Sequence, residues 1–232
     1  MNCYVELNFG KSFTGKTARM LHELRGEDRV ILADPKCAQL VDLRNWDHLW
    51  PFFDPESNNG DGAWLGKDFI DYFRKRQRCR FRAMVHFRSH FREQLNLLCR
   101  LAMGTKNLTL AIDEMGLFIP SGPINTLPPS VTASAISGRH ELIKFTGTAQ
   151  LPSLVHFTVR SNAEKIRWFR LTERNALDVA RDFMDESFVS QVANLPDYVC
   201  IETSDSRPPF RDESLVGKIK ILQKVARPDR VS

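Results

Sequence analysis

The chain has 232 residues, 42% of them hydrophobic, which is enough for one substantial α/β core and short for two independent enzymatic domains. Its formal net charge of +5 is compatible with a polyanionic partner. Scattered Cys3, Cys37, Cys79, Cys99 and Cys200, with no C-x-x-C pair, argue for a reducing compartment and against structural zinc or a disulfide framework.

Tyr4 to Asn8 alternates as a short strand and leads into Gly10-Lys11-Ser12-Phe13-Thr14-Gly15-Lys16-Thr17, which fits the phosphate-loop pattern G-x-x-x-x-G-K-[ST] at every position. Gly10 and Gly15 let the backbone curl so that successive N–H groups face a polyphosphate. Lys16 can then reach the β- and γ-phosphates, and the Thr17 hydroxyl is a ligand for Mg²⁺. Thr17 to Leu24 reads as a helix with apolar Ala18, Leu21 and Leu24 at helical spacing, its dipole aimed at phosphate. ATP and Mg²⁺ are therefore the expected ligands. No charged and apolar leader precedes the first strand and no apolar run approaches the ~20 residues of a bilayer span, so neither a signal peptide nor a transmembrane segment is expected.

Arg29 to Asp34, followed by Pro35, reads as a buried second strand. Asn45 to Gly66 carries Pro51, Pro55, Asn58-Asn59-Gly60 and Asp61-Gly62, the chemistry of a long loop. A helix is expected over Phe69 to Arg76, a strand over Arg82 to Phe87 and an amphipathic helix over Phe91 to Met103. Between Arg74 and Arg92 lie eight Lys or Arg residues and no acid, interleaved with phenylalanines. A solvated face or an acidic protein partner accounts for such a run as well as nucleic acid does. Next to a nucleotide-driven motor the DNA surface is favoured, with Arg74, Lys75, Arg76, Arg78, Arg80 and Arg82 as the candidate contacts.

Leu108 to Ile112 is an apolar strand terminated by Asp113-Glu114, the form of a Walker B segment. Asp113 can orient the Mg²⁺ shell while Glu114 polarises an attacking water. The adjacent Glu favours hydrolysing motors over signalling GTPases and small-molecule kinases, and such motors carry an extra strand between the phosphate-loop strand and the Asp-bearing one. Gly116 to Gly138, rich in Gly, Pro and Ser, reads as an irregular connection. Ile143 to Ala149 is a strand ending at Gln150, Lys165 to Leu171 another strand, Asn175 to Met184 a helix and Tyr198 to Glu202 a late strand. The organisation expected is a motor domain over 1–204 and a basic tail over 205–232.

Gly138-Arg139-His140, Gln150-Leu151-Pro152, Arg160-Ser161-Asn162-Ala163 and Ile166 to Leu171 together resemble the third motif region of the HerA–FtsK superfamily of ring-forming DNA translocases. Small size and an N-terminal phosphate loop add a resemblance, from about Val5 to Arg181, to the genome-packaging ATPases of tailless, internal-membrane double-stranded DNA viruses such as the tectiviruses. Leu151 departs from the pattern, because the superfamily commonly has Arg between the Gln and the Pro. The resemblance implies an α/β, RecA-like (ASCE) P-loop NTPase fold with a mainly parallel central sheet flanked by helices. It implies that Gln150 senses the γ-phosphate and that Arg139 acts in a neighbouring subunit's site, with Arg160, Arg167, Arg170 and Arg174 as competitors for that role. The implied assembly is a ring-shaped homo-oligomer on double-stranded DNA, docked to capsid vertex proteins, for which a membrane anchor is one option. Its implied place is the host cytoplasm during assembly, or the virion vertex. The expected function is ATP-driven packaging of viral DNA into a preformed capsid. Two alternatives stand beside it: a Zot-like filamentous-phage assembly ATPase acting on single-stranded DNA, and a nucleotide-dependent assembly or regulatory switch that moves no DNA.

Overall fold

The computed structural model describes residues 4–35, 46–49, 66–76, 79–86, 90–123 and 126–216, with 66–70 and Arg139 described by backbone alone. The strands are β1 (Val5–Phe9), β2 (Arg29–Asp34), β3 (Asp47–Leu49), β4 (Phe81–His86), β5 (Leu108–Ile112), β6 (Ile143–Ala149), β7 (Lys165–Trp168), β8 (Cys200–Ser204) and β9 (Arg207–Asp212). The helices are α1 (Lys16–Leu24), α2 (Gly66–Lys75), α3 (Phe91–Thr105), α4 (Met115–Phe118), α5 (Pro129–Ser137), α6 (Phe157–Ser161), α7 (Arg174–Arg181) and α8 (Glu186–Val192).

Among the described residues the strands form one nine-stranded sheet in the order β3-β4-β2-β5-β6-β1-β7-β8-β9. Pairing is parallel from β3 through β7 and antiparallel at β7-β8 and β8-β9. The sheet thus has the mainly parallel, helix-flanked RecA-like form. It also has the inserted strand, since β6 lies between β1 and β5.

Alternation along β1 divides its residues between the two faces of the sheet. Val5, Leu7 and Phe9 join the large core with Leu95 and Leu98 of α3, Val131 of α5, Ala180 of α7 and Val192 of α8. Beneath α1, a smaller apolar cluster of Met20, Leu24, Val30, Leu32, Met84 and Ala111 covers the β2 side. On the β1 and β7 side, Glu6, Asn8 and Arg167 are buried instead. Arg167 is 1% exposed and places its Nη2 2.6 Å from Glu23 Oε1 on α1 and its Nε 2.8 Å from Glu202 Oε2 on β8. An ionic cluster therefore replaces apolar packing under this part of the helix that begins at the phosphate loop.

Three expectations about elements need correction. The Gly116 to Gly138 connection contains α4 and α5, because Pro129 stands in the first helical turn, where a missing N–H costs nothing and its fixed φ favours helix entry. Buried Val131, Ser134 and Ala135 then hold α5 in place. Asp47–Leu49, read as loop, is strand β3, its backbone recruited by pairing with Ala83 to Val85 of β4. The supposed tail beyond 204 begins with β9, which pairs with β8 and is pinned by the Arg19 Nη1 to Asp212 Oδ2 contact of 2.9 Å. Residues 50–65 and 217–232, read as loop and tail, lie outside the described residues. No described helix is long and apolar enough to cross a membrane.

Candidate nucleotide site

The phosphate loop leaves β1 at the carboxyl edge of the sheet and is braced from three sides. Gly10 N donates to Ala149 O at 3.2 Å, Lys11 N to Arg170 O at 3.0 Å and Tyr198 N to Thr14 O at 2.7 Å. Neither loop glycine has room for a side chain. A Cβ on Gly10 would lie 2.6 Å from Phe169 Cβ, and one on Gly15, whose φ is +110°, would lie 2.6 Å from the Tyr198 ring. Within the loop, Thr14 Oγ1 and Lys16 Nζ both donate to Lys11 O at 2.8 Å. Lys11 Nζ is 3.4 Å from Glu173 Oε1. Ser12 and Phe13 are exposed, Phe13 at 94%.

Helix α1 starts at Lys16 with Gly15 as its N-cap and no capping side chain. Its first N–H groups are thus not occupied by a side-chain cap, which suits a phosphate at the positive end of the dipole. In the first turn, Thr17 Oγ1 donates to Asp113 Oδ1 at 2.9 Å. Paired hard oxygens of this kind suit Mg²⁺, which keeps several waters and takes its remaining ligands from phosphate. Among the described residues no group of three or more His, Cys, Asp or Glu could hold a metal on its own, so phosphate and water would have to complete its shell.

Thr148 on β6 escaped the sequence reading. It is fully buried, donates from Oγ1 to Asp113 Oδ1 at 2.7 Å and accepts from Glu114 N at 3.1 Å. One hydroxyl therefore ties the inserted strand to both acids that end β5. Glu114 sits at φ +53°, left-handed backbone that turns the chain from β5 into α4. The place of Thr148 one residue past the Ile112–Gly147 register pair puts its side chain on the same face as Asp113, which the sequence alone does not signal. Gln150 is exposed and follows Ala149, the residue whose carbonyl accepts from Gly10.

Arg139 belongs to a 3₁₀ turn, Gly138–Glu141, ahead of β6, at the amino edge of the sheet. The seven residues of β6 separate it from Gln150, a run of about 23 Å at 3.3 Å per residue. Three of its competitors are engaged within the chain. Arg160 Nε donates to Val155 O at 3.1 Å, Arg167 is buried among glutamates, and Arg170 Nη2 donates to Asp197 Oδ1 at 2.6 Å. Arg174 is exposed at the start of α7.

The basic stretch before β4 also lies at the amino edge, opposite the phosphate loop. Arg82 Nη2 donates to Arg25 O at 2.7 Å, and the Arg76 guanidinium stacks on Tyr72, 3.9 Å from the ring centroid. Arg74 and Lys75 are exposed, Arg80 is exposed with Nε 3.2 Å from Asp28 Oδ1, and Arg78 lies outside the described residues. Arg82 is committed to its own backbone surroundings.

Fold and site together define a RecA-like P-loop ATPase fold. No protein-family profile matches the chain, and a search of curated protein sequences finds no match. Among solved structures the chain is similar to the genome packaging NTPase B204 of Sulfolobus turreted icosahedral virus 2 in complex with sulfate, at 14% identity over 91% of this chain and 96% of that one, TM-score 0.67. The same NTPase in complex with AMPPCP matches at 14% identity over 90% of this chain and 96% of that one, TM-score 0.65. It is similar also to the plasmid coupling protein TrwB in complex with ADP and Mg²⁺, at 11% identity over 90% of this chain and 84% of that one, TM-score 0.59.

Proposed function

We propose that this protein is an ATP hydrolase that drives double-stranded DNA into a preformed viral capsid as a ring-shaped homo-oligomer. The observation that carries the reading is the Thr17–Asp113–Thr148 constellation at the carboxyl ends of adjacent β5 and β6, beside a braced phosphate loop. The similarity in fold to a genome packaging NTPase and to a plasmid coupling protein supports the DNA-handling part.

In this reading Gly10 to Thr17 hold the polyphosphate through backbone N–H groups and the Lys16 ammonium. Thr17 and Asp113 hold Mg²⁺, which when bound neutralises charge developing on the phosphates. Glu114 orients and deprotonates the attacking water, and Gln150 contacts the γ-phosphate. Arg139, about a strand length from its own phosphate loop, acts only in trans, on the nucleotide of a neighbouring subunit. Of the basic stretch, Arg74, Lys75 and Arg80 remain the cations suited to phosphate backbone. Such contacts bring strong salt dependence and little sequence preference. Capsid vertex proteins are the proposed docking partners, with the host cytoplasm or the virion vertex as the place of action. The motor domain in this reading is 1–204, with β9 added at its edge beside β8.

The test is steady-state ATPase activity of the purified chain with no DNA, single-stranded DNA or blunt duplex, with Glu114→Gln as the blank. Duplex stimulation is expected. Preference for single strands would replace this reading by a filamentous-phage type of assembly ATPase, and indifference to both would leave a nucleotide-dependent switch acting on a protein. Full turnover by Glu114→Gln would remove Glu114 from the chemistry.

A further inference from the structure

Beside Asp113, on the side away from the phosphate loop, Asp34 and His86 end β2 and β4, and His48 is the middle residue of the neighbouring β3. His48 Nδ1 lies 2.9 Å from His86 Nε2, the two rings stack with centroids 5.2 Å apart, and His86 Nδ1 lies 3.6 Å from Asp34 Oδ2. Exposure falls along the file, from exposed His48 to His86 at 6% and Asp34 at 0%. With its proton on Nδ1, facing Asp34, His86 accepts on Nε2 from His48.

Asp34 is the next register position after the Ala33–Ile112 pair, and Asp113 N donates to Ala33 O at 3.0 Å. Asp34 and Asp113 are therefore lateral neighbours on parallel strands about 4.8 Å apart. Their side chains share a face, because Val30 and Leu32 on β2 and Ala111 on β5 all pack with Met20 and Leu24 of α1. That is the helix whose first turn carries Thr17. A carboxylate withdrawn completely from water is costly to keep, and the rest of this strand, Val30 to Ala33, is apolar. An apolar residue at position 34 would close the strand end without that cost.

We propose that Asp34, with the His86–His48 pair beside it, is a positioning residue of the metal site. It accepts hydrogen bonds from water in the shell of a divalent cation that Thr17 and Asp113 hold, much as outer carboxylates orient the ligands of other metal centres. The inference rests on the nucleotide-site reading above and extends the acid set of that site from β5 to β2. It gives the polar file a task that strand-end packing alone does not require.

The experiment uses the full chain with Asp34→Asn, which keeps the shape and one acceptor oxygen but replaces the other by a donor and removes the charge, and with His86→Gln. Two affinities are read: a fluorescent ADP analogue in EDTA, and Mn²⁺ by electron paramagnetic resonance in the presence of AMPPCP. The expected result for Asp34→Asn is metal-free nucleotide affinity within twofold of wild type and an Mn²⁺ dissociation constant raised about tenfold, with a smaller rise for His86→Gln. A purely structural role would lower the melting temperature and leave the Mn²⁺ constant unchanged, and that result overturns the proposal. Should Asp34→Asn fail to fold, His86→Gln alone decides, unchanged Mn²⁺ affinity again overturning it. A wild-type chain that binds no nucleotide fails at the earlier reading, and the proposal falls with it.

Discussion

Replacing Thr148 by valine removes one oxygen at constant shape and separates the inserted strand from the acids it holds. The lost bond to the Asp113 carboxylate is a hydrogen bond to a charged group, worth about 1.5–3 kcal/mol, and the Glu114 N–H left without its acceptor costs a further ~1–3 kcal/mol. Burying a methyl in place of the hydroxyl returns about 0.8 kcal/mol. The net destabilisation is therefore roughly 2–5 kcal/mol, read as the urea midpoint at constant m. Glu114 occupies left-handed backbone at φ +53°, a conformation costing on the order of 1–2 kcal/mol that Thr148 helps to hold. Once released, Glu114 should leave its aim, and turnover should fall about 5- to 30-fold at ~1.36 kcal/mol per decade. Affinity for AMPPCP in EDTA should stay within twofold, since the phosphate loop is untouched, and Thr148→Ser should restore most of both losses. Wild-type midpoint and wild-type turnover in Thr148→Val would refute the argument that this hydroxyl organises the site.

Lys16→Ala removes the loop ammonium and should abolish tight binding of a fluorescent ATP analogue without changing the fold by circular dichroism; retained affinity would displace Lys16 from phosphate. Arg167→Met leaves buried Glu6 and Glu202 and half-buried Glu23 without their shared cation, a loss of about 3–5 kcal/mol in chemical denaturation, and an unchanged midpoint would mean the cluster is not coupled. Burial pushes the Asp212 carboxyl up, but hydrogen bonds from Ser214 and the Arg19 charge outweigh it and hold the pKa below its ordinary 3.8. Its stabilising contribution is thus present above pH 3.8 and is lost as pH falls through the depressed folded value. The melting-temperature gap between wild type and Asp212→Asn should therefore be full at neutral pH and close under strong acid. A gap that persists there would mean that the ion pair does not pin β9.

Short-range patterns determined much of this protein by themselves. The loop from Gly10 to Thr17, the acids ending β5 and the strands around them were legible because backbone curvature, phosphate charge and strand alternation each demand particular residue types at fixed spacing. Pro128-Pro129 was misread because the same ring that breaks a helix interior also begins a helix, and only the packing of Val131 and Ala135 distinguishes the two. β3 and β9 were hidden because edge strands take their backbone partners from neighbours distant in sequence, β4 and β8, whatever their own composition. Thr148 and Asp34 looked like ordinary strand residues, and they acquire neighbours only when β5 is laid between β2 and β6. Charge runs suffered most, since nothing in a run of arginines shows that one will donate to backbone carbonyls, another stack on a tyrosine, and the described residues from Arg74 to Arg82 lie at the edge of the sheet opposite the Gly10 to Thr17 loop. Residue chemistry is local and can be read along the chain. Which polar groups meet is decided by strand order and burial, and those belong to the folded sheet.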